Sequence, residues 1–287
     1  MQKNTLTFDK SISPSQIEFS SEFNVAVTFV DRHLNEGRKD KVIICTSDGT
    51  EVTFEELFVR VNKTGNLLKS LGLKNGDRIL MIVKDSPEFF YLFWGAIKVG
   101  IIPVPINTLL RTKDYAFMIE DSGCSAVIYS PEFSSEVTPT RNMIANKKYF
   151  YLITEGGSDC YIEQMISESS ELEAFSTKPT DDCFWLYSSG TTGKPKGAVH
   201  SHRSMVFTSQ LYGQNTLGVC EDDICFSAAK LFFAYGLGNA MTFPLWSGAK
   251  CILFHGKPSP ESIFDVIDRF KPTLFFGVPT LFAAQLQ

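Results

Sequence analysis

Residues 188–197 read SSGTTGKPKG: four hydroxyl side chains, three glycines and two lysines in ten positions, directly after the apolar run FWLY at 184–187. Glycines let consecutive backbone N–H groups point into one concavity that Cβ atoms would obstruct. Hydroxyls add neutral donors and lysines add charge, so this mixture suits an anion with many oxygens, a polyphosphate above all. The spacing is not that of a Walker loop, G-x-x-x-x-G-K-[ST], because only two residues separate Gly190 from Gly193 and Pro195 follows Lys194. Pro195 biases Lys194 toward extended backbone, so the loop is expected to close over the outer phosphates of a nucleotide when that ligand is present. A solvent-exposed polar turn has a similar composition. The length of the run, its two lysines and the buried strand expected before it favour the anion site.

Other residue types that carry chemistry are sparser. His200 and His202 follow the loop, but no carboxylate or nucleophile stands nearby in sequence to orient either as a base. Packing or hydrogen bonding at a helix start is the expected role, and His33 and His255 are less informative still. Seven cysteines include no CxxC pair; Cys220 and Cys225, in CEDDIC, are the nearest two. No zinc or other metal site is expected from them, and reduced, mostly buried thiols in a cytoplasmic protein are.

These residues need a scaffold, and the rest of the chain describes one. With 287 residues, 44% of them hydrophobic, 25 Phe and a formal net charge of -5, the chain reads as an ordinary globular protein with an aromatic-rich interior. The mildly acidic balance, without a basic run, argues against a nucleic-acid partner. The longest apolar tract, 89–106, is interrupted by Lys98, Gly95, Gly100, Pro103 and Pro105, so it reads as a helix followed by a strand and does not span a membrane. MQKNTLTFDK lacks the apolar region of a secretory signal.

A helix is expected from Thr53, with Glu56 completing a capping box, to Gly72. Then follow a strand at 78–83, a helix opened by Ser86 and Pro87 and closed by Gly100, an extended run at 101–107, a helix at 112–123 and strands at 125–130 and 148–154. Beyond the loop come a helix after His202, an apolar segment at 230–249, a strand at 251–254, a helix capped by Ser259 and a strand at 273–278. A final helix start follows Pro279. Such alternation implies an α/β fold with mostly parallel sheets covered by helices. The polar stretch 156–182 is the expected boundary between a first subdomain, 1–180, and a second, 181–287; a long surface helix and loop is the other reading of that stretch. The apolar ending, LFAAQLQ, reads as the beginning of a helix and suggests a large domain that is incomplete.

The segment SSGTTGKPKGAVHSH closely resembles the signature loop of the adenylate-forming enzymes, which include acyl- and aryl-CoA synthetases, luciferases and the adenylation domains of peptide synthetases. FWLYSSG before the loop and KLFFAYGLGNAMTFPL after it resemble the benzoate-CoA ligase branch. The resemblance extends from the TFEEL helix to GVPTL. It implies a ligase that uses ATP and Mg²⁺ to join a carboxylic acid, expected to be aromatic, to coenzyme A through an acyl-adenylate.

By that resemblance Ser188, Ser189, Gly190, Thr191, Thr192, Gly193, Lys194 and Lys196 hold the β and γ phosphates of ATP. Phe233, Ala234, Tyr235 and Gly236 line the acid pocket, and 277–280 forms another wall. Many relatives carry His where Phe233 stands. The family's Thr-Glu segment, ribose-binding Asp and C-terminal Lys match nothing in these residues, so no catalytic residue is assigned and a missing C-terminal domain is implied. The expectation is the N-terminal part of a ligase, inactive by itself. The alternatives are a noncatalytic nucleotide- or acid-binding module and a ligase for an aliphatic acid.

Overall fold

The computed structural model describes residues 3–9, 11–14, 16–144, 150–157, 159–188 and 194–287. Its strands, in chain order, are β1 (Leu6–Asp9), β2 (Gln16–Phe19), β3 (Val42–Thr46), β4 (Glu51–Thr53), β5 (Arg78–Ile82), β6 (Ile102–Pro105), β7 (Ala126–Tyr129), β8 (Phe150–Ile153), β9 (Asp182–Ser188), β10 (Lys196–Ser201), β11 (Ile224–Ser227), β12 (Lys250–Leu253) and β13 (Leu274–Phe276). The principal helices are α1 (Phe54–Ser70), α2 (Pro87–Lys98), α3 (Thr112–Ser122), α4 (His202–Phe207), α5 (Ala234–Leu237), α6 (Pro260–Phe270) and α7 (Pro279–Gln285).

Two sheets carry the fold. One is wholly parallel, in the order β6-β5-β7-β8. The other runs β13-β11-β12-β3-β4, parallel except for the antiparallel edge strand β4. This second sheet crosses position 180, because 42–53 pairs beside 224–276. The α/β class read from the alternation of apolar runs and amphipathic helices is the class observed.

Local sequence sets the helix ends. Thr53 Oγ1 accepts from the Glu56 N–H at 3.2 Å while Glu56 Oε2 accepts from the Thr53 N–H at 2.8 Å, the capping box expected at the start of α1. Ser259 opens α6 in the same manner, its hydroxyl accepting from the Ser262 N–H. At α2 the expectation is met only in part. Ser86 is the N-cap by its extended backbone, but its hydroxyl makes no capping bond and is buried with no hydrogen-bond partner among the described residues.

Every residue of α2 from Phe89 to Lys98 is buried, so this helix lies inside the fold and is apolar all round. Trp94 stacks on Phe29 with ring centroids 5.0 Å apart. The one cation on α2, Lys98, is also buried; it donates to both Asp31 carboxylate oxygens and to Asn62 Oδ1, each at 2.7 Å. Pairing of this kind is what makes a buried ammonium tolerable.

The polar stretch between the two expected subdomains contains one short helix, Tyr161–Ile166, and then runs as an irregular strap over α1 and α2. Its carbonyls accept from the amides of Asn62, Asn66 and Asn24 and from the Lys63 ammonium. Side chains on the helices therefore supply the bonds that a regular element would make internally.

Candidate nucleotide and acid site

The glycine-rich segment lies between β9 and β10, which pair as an antiparallel hairpin. Ser188 stands opposite Lys196, Leu186 opposite Ala198 and Phe184 opposite His200. The helix expected after His202 begins there as α4, but a strand the sequence reading did not anticipate, β10, stands between it and the loop. Residues 196–201 alternate between the two faces of the hairpin, a period of two that suits a strand and not a helix. No helix N-terminus therefore points at the loop from its C-terminal side. Ser189, Gly190, Thr191, Thr192 and Gly193 lie outside the described residues.

The two ends of the loop are described. Ser188 and Lys196 close the hairpin, and Lys194 and Lys196 are exposed without an acidic partner among the described residues. On one hairpin face Trp185 and Tyr187 pack toward the four-stranded sheet, with the Tyr187 hydroxyl donating to Asp121 Oδ2 at 2.6 Å. Gly197 lies under these rings, where a Cβ would come within 3.1 Å of Trp185 Cε3.

The expected acid-pocket residues lie at the start of α5. Phe233 is its N-cap, half-exposed, and its ring lies 4.4 Å from that of the buried Phe232. Phe233, Phe232, Tyr187, Ser188, Pro195 and Asn107 are among the residues lining a cavity of about 230 Å³. The cavity thus brings both flanks of the loop against one expected pocket residue.

Ala234 lies in a second cavity of about 140 Å³, with Phe184, Leu186, His200, Met205 and Gly238. Tyr235 is exposed and its hydroxyl donates to the Gly277 carbonyl at 3.2 Å, which ties α5 to the end of β13. Gly236 meets backbone: a Cβ there would lie 2.1 Å from the Lys230 carbonyl oxygen and 2.5 Å from that of Ala229. Glycine is required at 236 by that contact, whatever the cavities hold.

The histidines divide by environment. His202 is buried and its Nδ1 accepts from the Val25 N–H at 3.2 Å, so the ring is neutral and serves as a backbone anchor. Burial pushes its pKa down to about 4, against an upward pull from Asp181. His200 stacks on Phe184 at 4.6 Å with planes 7° apart, and burial lowers its pKa too. His33, also buried, bonds through Nε2 to the Leu245 carbonyl oxygen at 2.7 Å.

Two residues that the sequence reading did not single out stand beneath the site. Asp85, in the turn after β5, is buried; its Oδ1 accepts from the Leu231 N–H at 3.1 Å and its Oδ2 lies 3.9 Å from Lys230 Nζ. Burial raises its pKa to about 6, against the opposing pull of Lys230 and the Leu231 N–H. Lys230 Nζ also donates to the carbonyls of Phe254 and Gly256. The available signal was an acidic residue directly after a buried strand, which is weak without knowledge of what packs there.

Asp85, Asn107, Lys230 to Phe233, Phe254 and Gly277 all follow the carboxyl ends of parallel strands, where open α/β sheets bind ligands. A benzoate–CoA ligase of Thauera aromatica is 40% identical over 279 residues, 97% of this chain and 53% of that ligase. A 4-hydroxybenzoate–CoA/benzoate–CoA ligase of Rhodopseudomonas palustris is 38% identical over 92% of this chain and 49% of its own length. Among solved structures, a benzoate CoA ligase from Burkholderia xenovorans superposes with a TM-score of 0.86 at 37% identity, covering 92% of this chain and 52% of the other. The anthranilate CoA ligase AuaEII, solved in complex with anthranoyl-AMP, gives 0.87 at 34% identity, covering 93% and 51%. The chain spans about half the length of the curated relatives it matches. The model of the AMP-binding enzymes matches residues 30–287, which include the hairpin, both cavities and both sheets. The chain belongs to the AMP-binding enzyme family.

Proposed function

We propose that this chain supplies the ATP-phosphate loop and part of the acid pocket of a ligase that activates an aromatic carboxylic acid of the benzoate type and transfers it to coenzyme A. The carboxylate oxygen attacks the α-phosphorus of ATP and pyrophosphate leaves with the broken P–O bond; the CoA thiolate then attacks the acyl carbonyl carbon of the acyl-adenylate, forming the thioester as the C–O bond to AMP breaks and AMP leaves. The loop, with Ser188, Lys194 and Lys196 at its described ends, binds the outer phosphates. Lysine charge and hydroxyl donors stabilise the pyrophosphate as it departs. The segment from Phe233 to Gly236 seats the acid.

The observation that carries this reading is the cavity of about 230 Å³ in which Ser188 and Pro195, at the two ends of the loop, meet Phe232 and Phe233. Likeness to ligases named for benzoate supports the aromatic class. Mg²⁺ accompanies ATP as part of the substrate. Among the described residues no cluster of three or more His, Cys, Asp or Glu could hold a metal, so no residue here is assigned to it.

The test is benzoate-dependent ATP–pyrophosphate exchange, run on the 287-residue chain and on a chimera that adds the second half of the Thauera aromatica ligase. Exchange in the chimera with benzoate, and little with hexanoate, supports the reading. A folded chimera that prefers hexanoate would overturn the aromatic assignment. A folded chimera that exchanges with neither acid would overturn ligase function for this half and favour a noncatalytic binding module.

A further inference from the structure

We propose that Asp85 and Lys230 form a buried latch that sets the position of the acid-binding segment, so that the pair are positioning residues for the acid and not for ATP. The proposal rests on the reading of 233–236 as acid-binding. Asp85 belongs to the turn after β5 of the four-stranded sheet, and Lys230 to the loop after β11 of the five-stranded sheet. Their contact joins the two sheets below the site, with Asp85 Oδ1 on the Leu231 N–H and Lys230 Nζ 3.9 Å from Asp85 Oδ2.

Lys230 extends the junction to a third element. Its ammonium donates to the carbonyls of Phe254 and Gly256 after β12 and lies 5.2 Å from the Phe254 ring centroid. The backbone of the same residue governs α5: the Lys230 carbonyl accepts from the Phe233 N–H at 3.0 Å and presses on Gly236. Side chain and main chain of one lysine thus determine where Phe233 and Ala234, one in each cavity, stand relative to the sheets.

A buried carboxylate and ammonium are costly to dehydrate, and apolar residues of similar size often serve stability as well or better. Three converging strand ends explain what the charges supply here: a carboxylate and an ammonium direct several bonds at once, which an apolar pair cannot do. The ATP loop joins the strands of a different element, the β9–β10 hairpin, and among the described residues neither latch side chain makes a hydrogen bond or ion pair to that hairpin.

The decisive experiment is hydrogen–deuterium exchange across 228–238 in the 287-residue chain and in Asp85→Asn, Lys230→Met and Lys230→Arg, with α1 as an internal reference. Local opening of the segment in Asp85→Asn and Lys230→Met should speed exchange there about ten-fold while α1 is unchanged. Lys230→Arg, which keeps the charge, should restore most of the protection.

Benzoate and ATP affinities are measured in parallel in the chimera. The acid should bind about ten-fold more weakly to the Asn and Met variants, with ATP within about two-fold. Unchanged exchange at 228–238, or a rise of equal factor in α1, would overturn the latch. If the folded, unsubstituted chimera, which completes the pocket, does not bind benzoate, the acid-pocket reading fails and the exchange data still decide the latch. Should Asp85→Asn not fold, the contrast between Lys230→Met and Lys230→Arg carries the test.

Discussion

Replacing His202 by Asn separates an anchor from a base. The His202 ring is buried and accepts the Val25 N–H at Nδ1, a bond that Asn Oδ1 can reproduce from nearly the same place. Burial depresses the histidine pKa from 6.5 to about 4. The unfolded chain therefore binds the proton more readily than the folded one between these values. Stability is fully present above pH 6.5 and is lost as pH falls toward 4. Linkage with these two pKa values gives a loss of about 2 kcal/mol between pH 8 and pH 5 from this one group.

His33, pushed down to about 3 by burial, adds a loss of the same sign, and Asp85, raised to about 6, opposes both. These two terms are common to parent and variant and cancel in the comparison. Urea unfolding at pH 8 and pH 5 should show the Asn variant losing about 2 kcal/mol less than the parent across the interval. Nucleotide binding at pH 8 should be unchanged. Equal losses in the two proteins would refute the buried neutral histidine, and a folded variant that no longer binds ATP would refute the purely structural role.

Three further outcomes are expected. Gly236→Ala places a methyl 2.1 Å from the Lys230 carbonyl oxygen, so α5 must shift; a destabilisation of about 1–3 kcal/mol in urea unfolding is expected, with a change in Tyr235 environment by fluorescence. Lys196→Ala removes an exposed cation at the loop's end and should weaken ATP binding about ten-fold by calorimetry, with thermal unfolding unaltered because the side chain is exposed. Tyr235→Ala cuts the bond to the Gly277 carbonyl and should change the ratio of benzoate to hexanoate exchange in the chimera more than it changes the KM for ATP. An unaltered ratio would remove Tyr235 from the acid site.

Much of the fold was legible because its signals are local. A capping box needs only Thr53 and Glu56 at the right spacing, and the run from Phe89 to Lys98 announces a buried helix by having no polar face. The glycine-rich loop stood out as a candidate anion site through composition alone. The hairpin that carries it was not anticipated, because a six-residue strand beside a helix start has too short a period for one reading to exclude the other.

The site's foundations were not legible for a different reason. Asp85 and Lys230 are 145 positions apart, and a charge in sequence gives no sign of whether it will face water or another strand's end. Gly236 reads, by resemblance, as a residue of the acid pocket, and its close approach to the Lys230 carbonyl is visible only in the fold. His202 reads as a packing or hydrogen-bonding residue at a helix start, but its partner, Val25 from the N-terminal region, is visible only in the fold. By itself the sequence determined the class of fold, the ends of the capped helices and the presence of an anion-binding composition, all properties of neighbouring residues. Tertiary structure alone decided which charges are buried, which histidine is an anchor and which side chains share a cavity, because burial and hydrogen bonding are set by residues that meet only after the chain has folded.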